Sequence, residues 1–205
     1  MRDGLKNIVF DMGGVLLRWE PYMACYRHCR DRELARELCN AIFTRPEWGK
    51  EVDGGLLDDF QYLQEVKANL DCAGKCALAE AILRDYPLDS LFPVHGMGDL
   101  VEDLKADGYH VYLLSNVGYR FRDYAPWKIP YLDLFDGIVL SSEKKLCKPD
   151  PALFTLACGE WGIQPGESLF VDDLPGNIAG AETAGLQGWC FQDANVPALR
   201  EYLLG

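Results

Sequence analysis

The sequence predicts a doubly wound α/β fold with a mostly parallel sheet, interrupted early by a helical insert. Short apolar runs recur at 7–11, 110–115, 137–141, 168–172 and 187–191. Most are continuous rather than alternating, as expected of parallel strands covered on both faces. Helical patterns lie between the later runs, and that alternation implies helices crossing over a parallel sheet. The first two runs, however, stand nearly a hundred residues apart.

The first run, NIVFD (7–11), is apolar until Asp11 and is followed by Met12-Gly13-Gly14. The segment 18–94 then shows no strand-like run and reads as helices at 22–44, with a break inside, at 56–69 and at 75–85. An insert leaving the chain just after Asp11 sits over the carboxyl ends of the strands, where open α/β sheets bind ligands. The core helices follow at 97–107, stopped by Gly108, at 151–161, opened by Pro151, and at 175–184, stopped by Gly185. Proline at a helix start and glycine just past its end are the usual limits.

A chain of 205 residues, 49% apolar and 25% charged, is long enough to bury a sizeable core. Its net charge of −12 argues against a nucleic-acid or anionic-membrane surface, both of which need clustered Lys and Arg. An anionic substrate then requires a metal ion or local cations to overcome the overall field. No apolar stretch approaches the ~20 residues that cross a bilayer, and none of signal-peptide length precedes Asp11. The default expectation is a cytoplasmic protein with its eight cysteines reduced. Cys25/Cys29 and Cys72/Cys76 each share a helix face by their i, i+4 spacing. A closed zinc site needs four ligands brought together, whereas packing as small core residues needs nothing further.

Four strand ends carry the chemistry. The first delivers Asp11, the second Ser115-Asn116 and the fourth Asp172-Asp173, while Lys148-Pro149 precedes the helix at Pro151. Singly, each is an ordinary turn, cap or loop residue. Together on one sheet edge, a carboxylate nucleophile, a hydroxyl, a lysine and a carboxylate pair suit phosphoryl transfer assisted by Mg²⁺.

In order, FDMGGV, LLSN, KPDPALF and FVDDLPGNI resemble the four motifs of the haloacid dehalogenase (HAD) superfamily. The resemblance covers 6–17 and 95–191, and is nearest to phosphatases of the glucose-1-phosphatase and soluble epoxide hydrolase N-terminal-domain kind. It implies a Rossmann-like catalytic core over 1–17 and 95–205 and a small α-helical cap over 18–94. It also implies roles: Asp11 attacks phosphorus, and Mg²⁺ bridges Asp11, the Gly13 carbonyl and Asp173, with Asp172 reaching the metal directly or through water. Lys148 neutralises the carboxylates and pairs with the phosphoryl oxygens, while Ser115 and the Asn116 backbone donate to the same phosphate. The implied substrate is a small phosphorylated metabolite, with a sugar phosphate as one candidate; monomer and homo-oligomer both stay open.

One departure from the pattern matters. Most phosphatases of that superfamily carry a second aspartate two residues after the nucleophile, as general acid and base; here the position is Gly13. The backbone carbonyl survives, but acid–base catalysis typically worth ~10²–10⁴-fold does not. Three readings follow: a leaving group that needs little protonation, a proton supplied by water or a cap residue, or a degenerate site that binds a phosphorylated ligand without turnover. Turnover is preferred because the other ionisable groups are retained. Hydrolysis of 2-haloacids uses the same nucleophile but needs no Mg²⁺, leaving Asp172-Asp173 without a task.

In the insert, Pro46 and Gly54-Gly55 break the helical pattern across 43–55. A loop there can present Arg45, Trp48 or Lys50 to the site, though Trp48 also fits the insert's own core. Trp19 and Glu20 are candidates for the entrance, and Tyr119, Phe121, Tyr124 and Trp127 read as packing.

Overall fold

A computed structural model describes residues 4–205. The chain opens with β1 (Asn7–Phe10) and β2 (Leu17–Trp19). It continues through α1 (Pro21–Cys29), α2 (Arg32–Ile42), α3 (Asp59–Ala68) and α4 (Ala73–Ser90) and returns along β3 (Leu91–Pro93). Then come α5 (Met97–Ala106), β4 (His110–Ser115), α6 (Phe121–Lys128), β5 (Gly137–Leu140) and α7 (Ser141–Lys144). The chain ends with α8 (Pro151–Trp161), β6 (Ser168–Asp172), α9 (Pro175–Thr183), β7 (Gln187–Cys190) and α10 (Val196–Leu204).

The main sheet has the order β5-β4-β1-β6-β7 with every pairing parallel. Its register sets Ile8 beside Val111 on one side and Leu169 on the other. Successive side chains point to opposite faces, so Ile8 and Phe10 join Val111, Leu113 and the inner face of α5. Val9, by contrast, packs with Leu114, Phe170 and α8. Both faces are covered, which is why these strands read as continuous apolar runs.

The helices between β2 and β3 bury Leu38, Ile42, Tyr62, Val66, Ile82 and Leu83 in a separate cluster that contains no residue of the main sheet. Their starts follow local rules. Asp31 accepts from the Leu34 N–H, and Asp58 and Gln61 form a reciprocal capping box. The long 22–44 pattern is split at Arg30, which takes a left-handed φ of 53°. The helix expected at 75–85 is longer, Ala73–Ser90, and tolerates Pro87 in its last turn.

The expectation of no strand in 18–94 needs correction. Leu17–Trp19 pairs antiparallel with Leu91–Pro93, a two-stranded ribbon where the chain leaves the core and returns. Three-residue strands are too short to show a period, and they pair only because the insert's two ends meet. Helices α6, α7 and α10 were also not expected; Pro126 and the aromatic residues hide the first, and the second is a single turn.

All eight cysteines are free, and among the described residues only the carboxylates Asp11, Asp172 and Asp173 form a metal-capable group. No helix among the described residues is long and apolar enough to cross a membrane.

Candidate active site

Asp11 leaves β1 with its N–H still bonded to the Val171 carbonyl at 2.9 Å. Its carboxylate Oδ1 then accepts the next N–H, that of Met12, at 2.6 Å. The chain folds back at once: the N–H groups of Leu16 and Leu17 both donate to the Met12 carbonyl at 2.9 Å. This turn requires glycine at one position. Gly14 has φ +73°, and a Cβ there would lie 2.4 Å from the Asp173 carboxyl group. Gly13 is different, since a Cβ on it would meet nothing within 4 Å and its φ is not left-handed. The missing side chain at 13 is therefore a chemical choice, not a steric necessity.

Lys148 is buried, with its Nζ 2.7 Å from Asp11 Oδ1 and 2.7 Å from Asp172 Oδ2. Asn116 holds the lysine's backbone from both sides: its Nδ2 donates to the Lys148 carbonyl and its Oδ1 accepts the Lys148 N–H, each at 2.9 Å. Asp172 is fully buried, and both its oxygens are engaged. Oδ1 accepts from the Leu174 N–H at 2.8 Å, and Asn177 Nδ2 lies 3.0 Å from each oxygen. Asn177 was missed as a site residue. It stands inside FVDDLPGNI, five residues after Asp172, in the first turn of α9.

Asp173 lines the cavity beside Asp11, whereas Asp172 does not. Ligand oxygens of Asp11, Asp172 and Asp173 lie within 4.8 Å of one another. Desolvation pushes Asp11 up to about 7, with Lys148 opposing and the Asp172 charge adding to the rise. Burial and the same Asp172 charge also raise Asp173. Three carboxylates facing one lysine leave excess negative charge, and an all-oxygen donor set suits a hard divalent cation.

The cavity holds about 630 Å³. Its lining includes Asp11, Gly13, Asn116, Lys148 and Asp173 from the core, together with the aromatic side chains Trp19, Trp48, Tyr86 and Tyr124. Ser115 lies buried at the end of β4 and is not part of this wall. The 43–55 stretch does reach the site, through Trp48 and Asp53 rather than Arg45 or Lys50. Arg45 instead pairs with Glu47 at 3.3 Å and sits over the Tyr62 ring. Trp48 serves both the insert's core and the cavity wall, and Trp19 lines the wall while Glu20 does not. Tyr124, expected only to pack, also faces the cavity.

Fold and site together define a class: a Rossmann-like α/β scaffold whose strand ends gather carboxylates around one buried lysine beneath a helical insert. The family model for haloacid dehalogenase-like hydrolases matches residues 5–185, and the chain belongs to that family. A sesquiterpene phosphatase of Aspergillus oryzae is 25% identical, over 92% of this chain and 91% of its own. An (S)-2-haloacid dehalogenase of Burkholderia cepacia is 26% identical, over 88% of this chain and 80% of its own. A HAD family enzyme of Bacteroides thetaiotaomicron, solved with magnesium and inorganic phosphate, superposes with a TM-score of 0.64 at 22% identity, covering 90% of this chain and 93% of its own.

Proposed function

We propose that this protein is a Mg²⁺-dependent phosphatase that hydrolyses a small phosphorylated metabolite through an aspartyl-phosphate on Asp11. The observation that carries the proposal is the placement of Asp173 on the cavity wall next to Asp11, in a cluster whose charge Lys148 only partly balances. Dehalogenation at carbon has no use for that excess charge. The haloacid dehalogenase relative keeps the rival open by sequence, and the phosphatase relative and the magnesium–phosphate neighbour support the phosphoryl reading.

Asp11, the Gly13 carbonyl and Asp173 are the proposed metal ligands. Bound there, Mg²⁺ supplies positive charge against the phosphoryl oxygens and the carboxylates. Asp172 already shares its oxygens among Lys148, Asn177 and the Leu174 N–H. Its role is to hold Lys148 in place. Lys148 aims its ammonium at Asp11, where it also meets the transferring phosphoryl group, and the Asn116 backbone N–H donates to that group. Ser115, buried and off the cavity wall, is not assigned that contact. Asp11 attacks phosphorus, and water then hydrolyses the acyl phosphate, splitting one hard step into two easier ones.

The helical insert, 18–94, acts as the cap that chooses the substrate. Four aromatic side chains on the wall favour a substrate whose body beyond the phosphate is flat or apolar, and they give a polyhydroxylated sugar few hydrogen-bonding partners. A panel of phosphate esters, from sugar phosphates to prenyl and aryl phosphates, tests the proposal by phosphate release with and without Mg²⁺. Halide release from 2-haloacids in excess chelator, without phosphate release, would replace it with dehalogenation. Phosphate-ester binding with no release would replace it with a binding role, one of the three readings that Gly13 leaves open.

A further inference from the structure

With no acid at position 13, some other group must protonate the leaving oxygen unless the substrate needs none. Few proton-bearing groups face the cavity. Lys148 is committed to Asp11 and Asp172 at 2.7 Å each, and Asp173 belongs with the metal. Burial pushes the Tyr86 and Tyr124 hydroxyls well above their ordinary value, making them poorer acids. Asp53 remains, and among the described residues it is the one insert carboxylate on the cavity wall.

The chain takes care to place it. Asp53 follows the single π-helical turn Trp48–Val52 and precedes two glycines that admit no side chain. A Cβ on Gly54 would lie 2.2 Å from the Lys50 carbonyl oxygen, and one on Gly55, at φ +70°, would lie 2.2 Å from the Ser142 carbonyl oxygen. The loop is thus pressed against α7 of the core. Two bonds pin it: Ser141 Oγ donates to the Asp53 carbonyl, and the Tyr119 hydroxyl donates to the Gly55 carbonyl at 2.9 Å. Burial, the neighbouring Asp59 charge and, more weakly, Asp11 push Asp53 well above its ordinary value, so it holds a proton where a free carboxyl has lost one. Arg120 does not offset this directly, because it is tied to Asp59 at 3.3 Å and to the Leu83 and Arg84 carbonyls.

We infer that Asp53, delivered by the cap, is the general acid and base that replaces the aspartate absent at Gly13. The inference rests on the phosphatase reading. In the first step an Asp11 oxygen bonds to phosphorus, the ester P–O bond breaks, and the Asp53 proton passes to the departing oxygen, giving the alcohol and an Asp53 carboxylate. In the second step that carboxylate takes a proton from water as the water oxygen bonds to phosphorus. The Asp11–phosphorus bond breaks, phosphate leaves, and Asp53 is again protonated.

The test is Asp53→Asn, which keeps the size and shape of the side chain but has no acidic proton to give. Rates are compared across aryl phosphates of graded leaving-group acidity and a primary alkyl phosphate. Mg²⁺-dependent beryllium fluoride binding is measured alongside as a readout of site integrity. Wild type is expected to show a shallow leaving-group dependence. The variant is expected to lose about 10²–10⁴-fold on the alkyl phosphate and little on the best aryl leaving group, with beryllium fluoride binding kept. Gly13→Asp added to the variant, where a Cβ has free space, is expected to restore part of the alkyl rate. A loss equal for every leaving group, or no loss, overturns the inference for Asp53 while leaving the phosphatase reading intact. Loss of beryllium fluoride binding in the variant overturns it too, in favour of a purely structural role. A wild type that releases phosphate from no ester overturns the phosphatase reading, and with it any leaving group to protonate.

Discussion

Asn116 and Lys148 are joined by two reciprocal hydrogen bonds of 2.9 Å, side-chain amide to backbone, across 32 positions of sequence. The amide is turned toward the lysine's backbone, and the backbone N–H of Asn116 is the proposed phosphate contact. Asn116→Ala removes both bonds and is expected to lower stability by about 1–3 kcal/mol. Turnover should fall as Lys148 loses its aim. Urea unfolding and kcat on one substrate check the two effects together.

Lys148 is the only cation within 3 Å of Asp11 and Asp172 among the described residues. Lys148→Met leaves those two carboxylates buried and uncompensated, a change expected to cost about 3–5 kcal/mol. Adding Asp11→Asn should recover part of the stability and none of the activity. Thermal unfolding of the single and double variants measures the recovery.

The metal-free protein should lose stability as pH rises. Asp11 ionises near its ordinary value of 3.8 when unfolded but at about 7 when folded. The folded chain therefore keeps a proton that the unfolded chain has lost, so stability falls across that window and levels off above it. Asp53, Asp59 and Asp173 are shifted upward as well and add to the same slope. In excess chelator, Tm at pH 8 should lie below Tm at pH 5.5, and Mg²⁺ should raise Tm more at pH 8. A chelated protein that is more stable at pH 8 refutes this.

Asp173→Ala should abolish Mg²⁺-dependent beryllium fluoride binding, because it removes a carboxylate from the cavity wall. Asn177→Ala acts at one remove, through Asp172 and Lys148, and should weaken metal affinity by about 10–100-fold. Titration calorimetry with Mg²⁺ separates the two. Fluoride binding that persists in Asp173→Ala would place the metal elsewhere.

Asp11→Asn keeps the shape of the side chain but not its attacking charge. Turnover should drop by at least about 10³-fold, with the circular dichroism spectrum and unfolding cooperativity retained. Near-normal phosphate release from this variant would rule out the covalent route.

The sheet was legible because its signals are local. Ile8, Val9 and Phe10 announce a strand covered on both faces, and Asp11, Ser115 and Asp172 mark strand ends that a parallel sheet must bring to one edge. Lys148 was placed at that edge by its position before Pro151. The two glycines after Met12 looked alike in sequence. Only the turn geometry shows that Gly14 is obligatory, with φ +73° and Asp173 against it, while Gly13 is not.

What the sequence by itself determined is the doubly wound core, the helical insert and the position of Asp11 at the end of the first strand, since strand and helix patterns depend on neighbours within a few residues. Tertiary structure alone decided which side chains meet. It paired Asn116 with Lys148, bonded Asp172 to Asn177, left Asp172 and Ser115 off the cavity lining, and brought Asp53 from the insert onto the wall of the cavity that holds Asp11. Those contacts join residues that local propensity treats as independent, and they exist only because packing two separate cores against each other fixes where the distant parts of the chain can lie.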